Sequence, residues 1–387
     1  MSVHPKKRLL MIPGPTNVPD RVMNAMLKPM VNHRSPDFIA LLESVTEKSR
    51  YLFQTREHVV TMTASGTGGV EAVVDALVRP GDNVVVPVYG EFGQRLAEAV
   101  GLAGGGVVKV SAEPGMIPRL DDIKDAIRST DKLKAVYIVH NETSTGCAVP
   151  YIQELAAAAH EKGAFFVVDA VSSLGGYSLP VDAWEVDMCV TASQKCLAAP
   201  PGLVIISLNS KVAEFVKNTP PTVRYFDLGK QLEFLEHSYT PFTPAVSLYY
   251  ALEEALLVLM EETLEKRVER HARSAGQLYS AMESMGLTCF ADKRCRSNTV
   301  IAVNYPKGVD DEQFIRMMSE EHDIVVSPGF GSLKSKIFRI GSMGQVSGTD
   351  IQRTVTAVAE VLTKLGYPVD LKRTAEILGS GPYPLSI

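Results

Sequence analysis

The chain has 387 residues, which at roughly 150 residues per domain suggests two or three domains. Hydrophobic residues make up 45% and charged residues 21%, so a large core can form and disorder as the main state is excluded. A formal net charge of −5 argues against a protein that coats nucleic acid, while leaving room for a local positive pocket that takes a small anion.

The N-terminus starts with basic residues and continues Leu9-Leu10-Met11-Ile12. That apolar run is too short for a secretory signal, and Pro13-Gly14-Pro15 ends it. No apolar run approaches the ~20 residues of a membrane span, so no membrane partner is expected. Five cysteines, an odd number without a CxxC pair, point to a reducing compartment, and the cytoplasm is the expected location. No HExxH or paired Cys/His spacing suggests zinc.

From about 58 to 208, short apolar runs alternate with helical patterns. Strands are expected at 58–63, 83–88, 106–110, 134–139, 164–168, 188–191 and 203–208. Most are rich in Val and Ile with little polar alternation, as strands buried on both faces are. This alternation predicts a doubly wound α/β layer, in which ligands sit beyond the carboxyl ends of the strands. Prolines 220, 221, 241 and 244 mark an irregular stretch, and one long helical pattern then spans 245–285. Its charge-dense part, Glu261–Arg273, reads as a solvated face with Glu262 facing Lys266 and Glu269 facing Arg273. A strand at 299–303, a helix at 311–320, a strand at 338–340 and a helix at 350–365 complete the pattern. The expected division is an N-terminal segment 1–20, a large domain 21–250 and a smaller α+β domain 251–387 joined by the 245–285 helix.

Three features lie at expected strand ends. Ser65-Gly66-Thr67-Gly68-Gly69 opens a helix, where free backbone N–H groups suit a phosphate. It is neither a Walker loop nor a dinucleotide fingerprint, and a plain capped turn is equally compatible. Asp169 directly follows Phe165–Val168, so its carboxylate faces a cation, a set of donors or a helix end. Lys195 follows the run 188–191 and precedes Cys196-Leu197-Ala198-Ala199-Pro200-Pro201. An apolar, turn-rich setting of that kind desolvates an amine and makes it a nucleophile. Lysine, acid and phosphate cradle together suit pyridoxal 5′-phosphate, whose aldehyde a lysine holds and whose ring nitrogen an acid keeps protonated.

Several stretches then run in one family's order over nearly the whole chain. They are Ile12-Pro13-Gly14-Pro15-Thr16, Ser65-Gly66-Thr67, Gly90–Arg95, His140–Gly146, Val168–Ser173, Ser193-Gln194-Lys195 and Phe338-Arg339-Ile340-Gly341. The chain resembles the class V, fold-type I aminotransferases of the alanine–glyoxylate and serine–pyruvate type. The resemblance implies a mostly parallel seven-stranded sheet plus a smaller C-terminal α+β domain. It implies Lys195 and Asp169 as catalytic residues. Phe92 would stack on one face of the cofactor ring, Val171 would pack on the other, and Thr143 would donate to its phenolic oxygen. Ser65, Gly66, Thr67 and Gln194 would hold the phosphate. Arg339 would clamp the substrate carboxylate and Gly14 would line the substrate pocket. A homodimer is implied, with Thr243 of the partner subunit completing the phosphate site, although Tyr239 and Phe242 compete for the neighbouring role.

The expected reaction moves an amino group from alanine or serine to glyoxylate or pyruvate in a ping-pong cycle. An aspartate-type transaminase is the alternative; it would need a cation for the second carboxylate, with Arg95, Lys334 and Lys336 as candidates. A lyase such as a cysteine desulfurase ranks lower, because Asp323–Leu333 holds Ser327, Pro328 and glycines but no cysteine. A non-catalytic binding protein ranks lowest, because lysine and acid are both kept.

Overall fold

The computed structural model describes residues 6–370. The C-terminal part of the expected small domain and the Pro-Leu-Ser-Ile terminus lie outside the described residues.

Seven strands form the main sheet: β1 (His58–Thr63), β2 (Asn83–Val88), β3 (Gly106–Ser111), β4 (Leu133–Val139), β5 (Phe165–Asp169), β6 (Met188–Ala192) and β7 (Leu203–Leu208). Their spatial order is β1-β7-β6-β5-β4-β2-β3. β7 pairs antiparallel with both neighbours and every other pairing is parallel, so six strands share one direction. Those six therefore deliver their carboxyl ends to one edge.

Alternate residues of these strands enter two separate cores. Val136, Ile138, Phe166, Val168, Cys189 and Ile205 face one; Ala135, Tyr137, Val139, Val167, Val190 and Ile206 face the other. Helices cover both faces, which is why the strands carry almost no polar alternation. On the first face lie α1 (Pro36–Phe53), α4 (Leu120–Ser129), α5 (Ile152–Glu161) and α6 (Val246–Glu262). On the second lie α2 (Gly66–Leu77) and α3 (Glu91–Leu102).

The predicted helix over 245–285 is two helices. α6 ends and α7 (Leu264–Ser284) begins at Thr263, whose φ of +68° breaks the run and whose side chain accepts from Lys266 N at the new N-terminus. The charge-dense stretch is also not a simple solvated face. Arg267 is 1% exposed and donates to the Cys196 carbonyl from Nη2 at 2.8 Å and from Nε at 3.3 Å. Glu262 pairs with Arg267 at 2.9 Å and Arg270 at 2.6 Å, in place of the expected Lys266.

A third core gathers Leu278 and Met282 of α7 with Phe314, Val355 and Leu362 from α8 (Asp311–Glu321) and α9 (Gly348–Lys364). They pack around β8 (Val300–Asn304) and β9 (Ile337–Gly341), which pair antiparallel, with Ser327–Pro328 on the other side of β9. The N-terminal Leu9–Leu10 pairs in parallel with Ile324–Val325, and Gly341 N donates to Met11 O at 3.0 Å. These pairings carry Pro13 and Gly14 from this region onto the sheet edge.

Candidate active site

A cavity of about 420 Å³ opens at the carboxyl edge of the sheet. The carboxyl end of β5 and the segments that follow β1, β2, β4 and β6 supply Asp169, Gly66, Phe92, Thr143 and Lys195 to its lining. Ser65, Thr67, Val171 and Gln194 line it too, so the strand-end residues singled out from the sequence converge on one space.

Lys195 follows β6 in a turn closed by Ala198 N donating to its carbonyl at 2.9 Å, with Thr16 Oγ1 donating to the same oxygen at 3.2 Å. Burial lowers its ammonium from 10.5 to about 8, and the nearby Arg339 charge acts in the same direction. Nζ donates to the Pro13 carbonyl. Gly14 has φ of +100°, and a Cβ there would stand 2.7 Å from Lys195 Cδ and 2.8 Å from Nζ. Glycine is thus required both by the backbone and by the lysine.

Asp169 ends β5. Burial raises its carboxyl from 3.8 to about 6, against the pull of the Val171 N–H that donates to Oδ1 at 2.9 Å. A carboxylate kept in such a place suits a positively charged ring nitrogen. Val171 then stands against the first turn of α2: a Cβ on Gly66 would be 3.1 Å from Val171 Cγ1.

Ser65 caps α2, accepting from Gly68 N at 3.3 Å. Gly66 and Thr67 occupy the first two helical positions, whose N–H groups have no intrahelical acceptor. The buried Oε1 of Gln194 has no partner among the described residues. Two free N–H groups at a capped helix end, with the Gln194 side chain, whose NH2 group can donate, on the same wall, form a cradle that fits a phosphate.

Arg339 lies on β9, 9% exposed, and does not line the cavity itself. Its Nη1 donates to Thr143 O at 2.9 Å and its Nε to Pro328 O at 3.0 Å. Those two bonds fix the fork beside the cavity-lining Thr143. Thr243 is not brought to this cavity within the chain; it lines a separate recess with Thr63, Tyr225, Phe242 and Tyr249. Tyr239 stacks under Arg34 at 5.1 Å and Phe242 on Tyr225 at 5.2 Å.

Sequence reasoning missed several neighbours. Asn141 lines the cavity and bonds Ser172 Oγ at 2.9 Å and Thr299 Oγ1 at 3.0 Å, tying the turn after β4 to the start of β8. Phe330 stacks on Phe92 at 6.3 Å, and Arg95 lies over both rings at 5.3 and 4.9 Å. Arg95 lines the cavity; Lys334 and Lys336 do not. The buried Arg267 holds the carbonyl of Cys196, the residue after Lys195.

The model of the family described as aminotransferase class-V matches residues 8–345. This chain is a class-V aminotransferase. It is 40% identical to an uncharacterized aminotransferase of Methanocaldococcus jannaschii over 95% of this chain and 96% of that one. A serine–glyoxylate aminotransferase of Arabidopsis thaliana is 31% identical over 97% of this chain and 94% of its own length. The crystal structure of ureidoglycine–glyoxylate aminotransferase from Bacillus subtilis superimposes with a TM-score of 0.92 at 32% identity, covering 98% of each chain. The aminotransferase thus shares its α/β architecture, with a mixed and mostly parallel sheet, with transaminases over nearly its full length. Among its described residues no helix is long and apolar enough to cross a membrane.

Proposed function

We propose that this aminotransferase transfers the amino group of a small amino acid, alanine or serine, to glyoxylate or pyruvate, with pyridoxal 5′-phosphate bound in the cavity. The observation that carries this reading is the convergence of Lys195, Asp169 and the Gly66–Gln194 cradle on that one space. Pyridoxal phosphate supplies an aldehyde that captures amines and a ring that accepts the electron pair released at the substrate Cα. Lys195 holds that aldehyde and, when released, carries the proton at Cα, a task suited to an amine lowered to about 8. Asp169 keeps the ring nitrogen protonated. The α2 N-terminus with Ser65, Thr67 and Gln194 binds the phosphate, Phe92 and Val171 hold the ring between them, and Thr143 donates to its oxygen. Arg339, already fixed by Thr143 O and Pro328 O, turns its remaining N–H groups to the substrate carboxylate, and Gly14 leaves room beside Lys195. Similarity to glyoxylate transaminases supports glyoxylate as acceptor.

We further propose a homodimer in which Thr243 of each subunit reaches the other's phosphate site, a large domain over 21–250 with a smaller one after it, and a cytoplasmic location. The deciding experiment is spectroscopic. The purified protein should be yellow, alanine or serine should bleach the band, and glyoxylate or pyruvate should restore it. Continued release of a 2-oxo acid beyond one equivalent per bound cofactor, without any acceptor, would overturn the transaminase reading in favour of a lyase. Bleaching by aspartate but not by alanine or serine would overturn the small-donor assignment, and Arg95 at the cavity would then be the cation to test.

A further inference from the structure

Glu142 is 0% exposed. A carboxylate so deeply buried is rare without partners; the Arg339 charge lies near enough to act on it, but its four hydrogen bonds all come from neutral donors. Oε2 accepts the backbone N–H groups of Phe92 and Gly93, each at 3.0 Å. Oε1 accepts Ser144 N at 3.0 Å and Ser144 Oγ at 2.6 Å. Ser144 Oγ in turn accepts Glu91 N at 3.0 Å. The first three N–H groups of α3, which have no acceptor within the helix, are thus all taken by the turn that follows β4. The approach is close enough that a Cβ on Gly90 would meet Glu142 Cγ at 2.3 Å and Ser144 Oγ at 2.5 Å.

The residues at either end of this clamp face the cavity. Phe92 hangs from one clamped N–H, and Thr143 lies between the two residues that hold the clamp. The Thr143 carbonyl takes Arg339 Nη1. We infer that Glu142 is a positioning residue that sets Phe92 and Thr143 against the cofactor ring; the inference rests on the cofactor reading above. A cap serving only the helix could come from a side chain next to Gly90. Reaching across from another strand end instead fixes two cofactor-facing elements relative to each other. Burial raises the Glu142 carboxyl while its hydrogen bonds pull it back, and its charge adds to the burial that raises Asp169.

Glu142→Gln tests this, because its amide would set a donor against N–H donors and open the clamp. Apo protein is titrated with pyridoxal phosphate and the visible band gives the dissociation constant. The variant should bind about tenfold more weakly, and Phe92→Leu by a similar factor. The double variant should lose clearly less than the product of the two single losses, because part of the Glu142 effect runs through Phe92 and the rest through Thr143. Amide exchange at Phe92 and Gly93 should be faster in the apo Glu142→Gln protein. Wild-type affinity in Glu142→Gln, or losses that multiply in the double variant, would overturn the inference. Should Glu142→Gln fail to fold, Ser144→Ala removes one donor and the acceptor of Glu91 N; it should weaken binding about threefold, and unchanged affinity overturns the inference. A wild-type chain with no visible band overturns the cofactor reading and this inference together, whereas a coloured wild type matched by Glu142→Gln overturns this inference alone.

Discussion

Burial does opposite things to the two central ionisable groups. It lowers Lys195 to about 8, so at pH 7 about one amine in ten is neutral, against about one in three thousand for an ordinary lysine. Only the neutral amine captures an aldehyde. The rate at which apo protein takes up pyridoxal phosphate should therefore climb about tenfold per pH unit up to pH 8 and level off above it, as read by stopped-flow absorbance. A climb that continues towards pH 10 would mean that the lysine is not desolvated. Lys195→Ala should lose the band and at least about a thousandfold in turnover while keeping its circular dichroism.

Asp169 carries the reverse shift, from 3.8 to about 6. Its folded form holds the proton more tightly than the unfolded chain, so between about pH 4 and 6 the native state binds the excess proton. The contribution to stability is present below pH 4 and lost as pH rises through 6. Asp169→Asn removes that loss. The apo variant should melt about 2 °C above wild type at pH 7, with the gap closing near pH 3.5, while turnover falls about a hundredfold. A variant less stable than wild type at pH 7 would show the carboxylate to be a structural acceptor.

Among the elements, most strands could be read from the sequence because burial on both faces leaves apolar, largely Val- and Ile-rich runs, while the half-exposed edge strand β3 still shows its Val107-Val108 and Val110. The site was readable for a related reason: six strands pointing one way bring residues distant in sequence to one edge. The helix break at Thr263 gave no signal, since neither Gly nor Pro marks it. Phe330 gave none either, because its contact with Phe92 depends on how distant loops close. Arg267 was misread because a helix rich in Glu, Lys and Arg looks the same whether its arginine meets water or a buried carbonyl. Burial now gives that arginine a consequence. Arg267→Met removes both donors to Cys196 O and one partner of Glu262. A buried carbonyl left unpaired and a loosened ion pair should cost about 3 kcal/mol, measured as a lower urea midpoint. Because that carbonyl belongs to Cys196, the residue next to Lys195, cofactor uptake should slow as well. A loss below about 0.5 kcal/mol would return Arg267 to the solvated face first assigned to it.

At the scale of the whole molecule, one wall of the cavity is unlike the rest. Leu102 lines it while 91% exposed, and Thr243, the expected phosphate ligand, lies in a different recess. A second copy laid over that wall would cover the leucine and could bring in the threonine, which a mixed dimer can test. Lys195→Ala and Thr243→Ala chains, each nearly inactive alone at limiting cofactor, are unfolded and refolded together. If Thr243 acts across the interface, a mixed dimer has one site carrying both substitutions and one carrying neither. That second site should bind pyridoxal phosphate with wild-type affinity and turn over normally, so an equal mixture, in which about half the dimers are mixed, should recover about a quarter of wild-type activity. If Thr243 instead serves its own chain, every site keeps one defect and mixing recovers nothing. Tyr239→Phe in place of Thr243→Ala separates the two hydroxyls by the same arithmetic, because only a side chain that crosses to the other subunit can be rescued by it.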